Sequence, residues 1–243
     1  HSGANSVRKH KSCLSCHEDE EAEMGEYISN DSKHQFYSPG APSSLATVLQ
    51  MAVDGERIYF RVRLPGVESG QVSLMLDDGA YDSSSLSGCW ATCHADARNM
   101  PHDQGLSKYL SRSRSKNGRN GGGENYVPND QLAHLLDNDE FLELMSVHFS
   151  PDIVTAKRGY VLEKSHLEKN DSLEAASSNG YISFSRPLTA VAKGQKSLSA
   201  GGSYTVSLSI HLGNAEGRKH LVSFPINFRL GQNNDIRLIK NTQ

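Results

Sequence analysis

Four cysteines, one tryptophan and an aromatic content of 7% are all that this 243-residue sequence has of those residue types. So few aromatic rings argue against a sugar-stacking platform. A basic excess is also missing. Twenty-five Lys and Arg stand against 28 Asp and Glu, a formal net charge of −3, which argues against a partner made of phosphate backbone. No apolar run approaches the roughly 18 residues needed to span a bilayer, because charged side chains interrupt each hydrophobic stretch. The sequence starts at His1 without a basic-then-apolar leader, so any export signal is expected to have been removed. Gly121-Gly122-Gly123 is framed by neither a strand nor a helix and is no nucleotide fingerprint. A mass of 26.6 kDa suits one large domain, or one domain with an appendage.

The cysteines that are present fall in two pairs, each followed by histidine. The first reads Cys13-Leu14-Ser15-Cys16-His17, the CxxCH pattern of c-type haem attachment. Each thiol adds to one haem vinyl group, and the adjacent imidazole supplies a nitrogen to the iron. The short loop is needed to keep both sulfurs along one haem edge while the next side chain turns under the ring. The second pair reads Cys89-Trp90-Ala91-Thr92-Cys93-His94, one residue longer and still able to reach both vinyls. Disulfides or a redox CxxC would use the cysteines but not the histidines. A four-thiolate zinc site would leave both histidines unexplained. With 11 His in 243 residues, a chance His after both pairs has a probability of about two in a thousand. Two covalently attached haem c groups are therefore expected, bound through Cys13, Cys16, Cys89 and Cys93, with His17 and His94 as iron ligands. Trp90 is placed to pack on the second haem. Because thioether attachment takes place outside the bacterial cytoplasm, a periplasmic or extracellular location is expected.

Residues 1–45 have no regular hydrophobic period and are expected to form a short irregular or helical haem-carrying arm. The acidic run Glu18-Asp19-Glu20-Glu21 reads as a solvated helix face, with a docking patch beside the haem edge as the alternative. His34 lies far enough along the arm to reach the sixth position of the first iron, and Met24 is the local competitor.

From residue 46 onward the period becomes two. Thr47–Val53, an Asp54-Gly55 turn, and then Ile58, Phe60, Val62 and Leu64 alternating with polar residues predict a hairpin with one buried face. Further strands are expected at 71–76, 141–149, 180–185, 204–212 and 220–230. Many short strands separated by Gly, Asn and Pro predict a mainly β domain over 46–243, a β-sandwich. The basic, Gly-rich segment 111–123 has no apolar anchor and is expected to be a mobile loop.

Several segments in the second half occur in an order that resembles a known family. They are Gly88-Cys89-Trp90 with Cys93-His94-Ala95-Asp96, Asn99-Met100-Pro101, Ile182 to Leu188, Tyr204-Thr205-Val206 leading to Ile210-His211, and His220 to Pro225. The family is the haem-binding domain of the ethylbenzene dehydrogenase gamma subunit and of cytochrome subunits of related molybdenum enzymes. The resemblance implies an immunoglobulin-like β-sandwich with a haem at its edge, acting as an electron conduit. That family holds haem b through Met and Lys without covalent bonds, so its axial ligands do not transfer to a chain offering Cys89, Cys93 and His94.

The distal ligand of the second haem has four candidates: Met100, His102, His211 and His220. Met100 and His102 are close in sequence to His94 and need a tight loop. His220 alternates with Val222, Phe224 and Ile226 on what reads as an apolar face, whereas His211 alternates with Thr205, Ser207 and Ser209. His220 is preferred and His211 comes second. The expected function is single-electron transfer between redox proteins such as other cytochromes or reductase and dehydrogenase complexes, with no nucleic acid and no membrane span. A dihaem peroxidase or reductase with one open iron, or a haem-based sensor, is the alternative.

Overall fold

A computed structural model describes residues 9–30, 42–93, 111–113, 117–118, 121–122, 126–213, 220–233 and 235–239. The side chains of residues 27–30, 90–93, 111, 117, 118, 121 and 122 are not part of that description. His34, His94, Met100 and His102 lie outside the described residues, as does the side chain of Trp90.

The expected hairpin forms from β1 (Val48–Val53) and β2 (Arg57–Arg63). Asp54 Oδ1 accepts the amides of Glu56 at 3.0 Å and Arg57 at 2.9 Å, and Gly55 takes the positive φ of 97° that the turn requires. Ile58, Phe60, Val62 and Leu64 are buried, as their alternation implies. β2 then pairs with β10 (Tyr181–Pro187), and β10 with β9 (Glu174–Ser178), giving a four-stranded antiparallel sheet.

The second sheet takes the order β14 (Ile236–Leu238), β13 (Ile226–Leu230), β11 (Ser203–Leu212), β3 (Gly70–Asp77), β6 (Leu142–Phe149), β7 (Val154–Val161), β8 (Ser165–Lys169). A two-residue strand, β12 (Leu221–Val222), joins β11. Between the sheets lies the main core, including Phe60, Leu74, Met145, Phe184, Val206 and Phe228. The architecture is a mainly β sandwich. Strands β7, β8 and β9 escape a reading of apolar runs because their sequences VTAKRGYV, SHLEK and EAASS carry charged or small residues at alternate positions.

Helices lie on the outer face of the larger sheet, the face turned away from the main core. There Met75, Tyr81, Leu142, Val161 and Leu162 form a second cluster with Leu135 of helix α4 (Asn129–Asp137). Helix α3 (Asp82–Cys93) packs on the same face against β11, while α1 (Leu14–His17) and α2 (Glu21–Asn30) belong to the arm. The segment 111–123 contains a 3₁₀ turn at Ser111–Ser113 and a minute hairpin of β4 (Asn117–Gly118) with β5 (Gly121–Gly122). Its start is anchored where no apolar anchor was expected: Ser113 is buried, its carbonyl accepts the Val127 amide at 3.0 Å, and its hydroxyl reaches Leu162 O. The anchor is polar, which explains why an apolar pattern does not reveal it. Among the described residues no helix is long and apolar enough to cross a membrane.

At one end of the core a buried ionic network ties the sheets together. Glu143 of β6 accepts from Arg158 Nε at 2.6 Å, from Arg186 at 3.0 Å and from the Lys196 amide at 2.9 Å. Burial holds the Arg186 guanidinium down at about 10, with Glu143 opposing the shift. Glu143→Ala leaves two buried guanidiniums without their anion, and chemical denaturation should show a loss of about 3–5 kcal/mol. A second expectation concerns pH. Asp77 is buried at the end of β3, where it accepts the amides of Ala80 at 3.0 Å and Tyr81 at 3.3 Å, and burial raises its carboxyl to about 6. The unfolded chain ionises this group first, so its contribution is greatest below about pH 4 and is lost as pH rises through about 6, by at most about 3 kcal/mol. Unfolding free energies of Asp77→Asn measured from pH 4 to 7 should lack that decline.

Candidate functional site

The first cysteine pair sits on one turn of helix. Cys13 has helical angles (φ −61°, ψ −36°), and its carbonyl accepts the amides of Cys16 at 3.2 Å and His17 at 3.1 Å. Ser12 stabilises the start: its hydroxyl accepts the Leu14 amide at 3.3 Å, and its carbonyl accepts the Ser15 hydroxyl at 2.7 Å. Helical spacing of three puts Cys13 and Cys16 on one face, which is the arrangement two thioethers along one haem edge require. Both thiols are free. The Cys13 thiol is pushed above its usual range, first by burial and then by the neighbouring Cys16 sulfur, against a hydrogen bond from Ser87. His17 closes the turn, with Nδ1 at 2.8 Å from Glu20 Oε2.

The second pair rides on α3, which is not a regular helix. Gly88 interrupts it with φ 61° and ψ −148°. A Cβ at this position would stand 2.8 Å from Ser207 Oγ, 3.2 Å from Pro225 N and 3.3 Å from Ser223 O. Gly88 therefore answers two demands at once, a left-handed φ and close backbone contact with β11 and the chain leading into β13. The Asn227 amide nitrogen donates to Ser85 O at 3.3 Å, which fastens the helix further. Cys89 is half-buried and packs against the cluster of Met75 and Tyr81.

The segment of the first pair meets the helix that carries the second. The Cys13 amide donates to Leu86 O at 2.9 Å, and the Ser12 hydroxyl donates to the same carbonyl at 3.2 Å. Leu86 precedes Cys89 by three residues, and the neighbouring Ser87 lowers the Cys13 thiol against its burial. Segments more than 70 residues apart in sequence thus share one backbone junction.

His211 and His220 are also brought together. Ser209 pairs with Val222 and Ile210 with Leu221, so the next position across the ladder sets His211 opposite His220. Their ring centroids are 4.7 Å apart at an interplanar angle of 34°. Both belong to the outer face, with Ser207 and Ser209, where α3 lies. This corrects the face assignment made from alternation. Between Ser209↔Val222 and Val206↔Ile226, β11 advances three residues while its partner advances four. The extra residue is a β-bulge next to Pro225, and it flips Ile226 into the core while leaving His220 outside. His220 and Ile226 share no face, so alternation gives no reason to place His220 ahead of His211.

The donor chemistry fits covalent haem at the first pair: two free thiols one helical turn apart, then an imidazole held at Nδ1 by a carboxylate. At the second pair the Cys89 thiol fits, whereas the Cys93 side chain and His94 are outside the described residues. Among the described residues no three His, Cys, Asp or Glu side chains gather as a metal site. Leu86 and Ser87 are site residues that motif reading passes over, and Glu20 and Gly88 are residues it quotes without giving them these contacts. Glu20 had one available signal, its position three residues after His17. Gly88 had another, a glycine immediately before Cys89.

No family model matches the chain. It is similar to cytochrome c-552 of Stutzerimonas stutzeri, at 26% identity over an alignment of 259 residues that covers 99% of this chain and 81% of that protein. Together with the free thiols and imidazole of the first pair, this similarity supports a c-type cytochrome.

Proposed function

We propose that the chain is a periplasmic dihaem c-type cytochrome that passes single electrons between redox proteins. The hydrogen bond from the Cys13 amide to Leu86 O carries this reading, because it seats the first attachment turn on the helix that bears the second. Haem c supplies reversible one-electron chemistry at its iron. Cys13 and Cys16 would hold one group, with His17 as an iron ligand. Cys89, Cys93 and His94 would serve the other. His34 or Met24 would be the further ligand of the first iron, and His220, His211, Met100 or His102 that of the second. Two carriers at one backbone junction suit a relay in which an electron enters at one and leaves at the other. The sandwich then plays the part that its resemblance to the ethylbenzene dehydrogenase gamma subunit implies, with covalent attachment added.

The imidazole pair favours a second reading. If one of His211 and His220 binds iron, the other stands beside it as an acid-base group, as a dihaem peroxidase or reductase requires.

Mass spectrometry of the denatured protein should show two haems per chain. Cys13→Ser with Cys16→Ser should remove one, and Cys89→Ser with Cys93→Ser the other. A polypeptide free of tetrapyrrole overturns the proposal. Absorption spectra should show low-spin haems with little response to carbon monoxide. A high-spin ferric band with rapid carbon monoxide binding after reduction favours the peroxidase reading instead. If a histidine of β11 or the β12 entry is a ligand, either His211→Ala or His220→Ala changes the spin state of one haem. Unchanged spectra in both variants would remove the two from the ligand set.

A further inference from the structure

We propose that Glu20 is a positioning residue for His17, holding the imidazole in the tautomer and orientation needed at the first haem and lowering that haem's reduction potential. The inference rests on the haem-carrying reading of Cys13 to His17. It gives one carboxylate of the acidic run a role distinct from a solvated face or a docking patch.

The geometry is built by the backbone. Helix α1 stops at His17, Glu18 becomes extended at ψ 130°, and Asp19 takes a φ of 67°, which a residue with a Cβ adopts only at some cost. That reversal brings the Glu20 amide back to His17 O at 3.3 Å, while Glu20 O accepts the Met24 amide at 2.9 Å and starts α2. Glu20 is thereby fixed from both sides. An acidic side chain at a helix start ordinarily turns toward the unpaired amides of the first turn. Here Oε2 lies 2.8 Å from His17 Nδ1.

An ionised carboxylate can only accept, so the pair requires the proton on Nδ1 and makes Nε2 the nitrogen that faces iron. A ligating imidazole commonly donates its other N–H in this way, and a carboxylate acceptor makes the ligand more basic. A more basic ligand favours ferric over ferrous iron, hence the lower potential. His17 and Glu20 are both partly open to solvent, with 30% and 49% of their side chains exposed, so the pairing is maintained by local geometry more than by burial.

The test is a potentiometric titration of the intact holoprotein and of Glu20→Gln, Glu20→Ala, Glu20→Asp and Glu21→Gln, with haem content measured by mass. Glu20→Gln and Glu20→Ala should move one of the two potentials in the positive direction and leave the other in place. Glu20→Asp should return the shifted value part of the way, and Glu21→Gln should have a smaller effect. Unchanged potentials in Glu20→Gln and Glu20→Ala, with both haems retained, overturn the role of Glu20 and leave the proposed function standing. An equal shift in Glu21→Gln also overturns it, by showing a general charge effect. So does loss of the first haem in every Glu20 variant, which would show a structural requirement only. Absence of haem from Cys13 and Cys16 in the unsubstituted protein overturns the functional reading itself.

Discussion

The close contact between Gly88 and strand β11 governs the arrangement of the whole site. Without a side chain at position 88 the helix kinks and lies against Ser207, Ser223 and Pro225, closer than a Cβ ordinarily sits. This fixes α3 on the outer face of the larger sheet and sets Cys89 against Met75 and Tyr81. It also presents Leu86 O to the Cys13 amide. Leu45, at the end of the arm, packs against the main core, and the attachment turn at Cys13 is seated on a carbonyl that the kinked helix supplies.

The sandwich contributes stiffness rather than chemistry. Its apolar interior is sealed at one end by Glu143, Arg158, Arg186 and the Lys196 amide, groups from both sheets whose burial is tolerable because each meets a partner. A scaffold joined in this way resists shear between its layers. That would matter for the proposed relay, since small changes in the separation of two redox groups alter the rate at which electrons pass between them. The proposed function belongs to the outer face, where the core residues of β3 and β11 alternate with Ser73, Ser207, Ser209 and His211.

Much of this was legible in the chain itself. The hairpin of β1 and β2, the burial of Ile58, Phe60, Val62 and Leu64, and the strands at β3, β6, β10 and β11 follow from period-two patterning and an Asp-Gly turn. Strands β7 to β9 did not, because an edge or half-exposed strand puts Lys, Arg, Glu and Ser where an apolar signal would be sought. The faces of His220 and Ile226 were misassigned for a different reason. Strict alternation assumes an unbroken ladder, and a single extra residue beside Pro225 inverts it.

Local sequence determined the chemical inventory: which thiols stand one helical turn apart, which imidazole follows them, and which segments favour strands. Those properties depend on residue spacing and backbone preference, so they can be read without a fold. Tertiary structure alone decided which groups are neighbours. The junction of Cys13 with Leu86, the pairing of His211 with His220 and the approach of Gly88 to Ser207 each join residues far apart in the chain. Their proximity is set by sheet register, a bulge and one missing Cβ, and none of these leaves a periodic trace in the sequence.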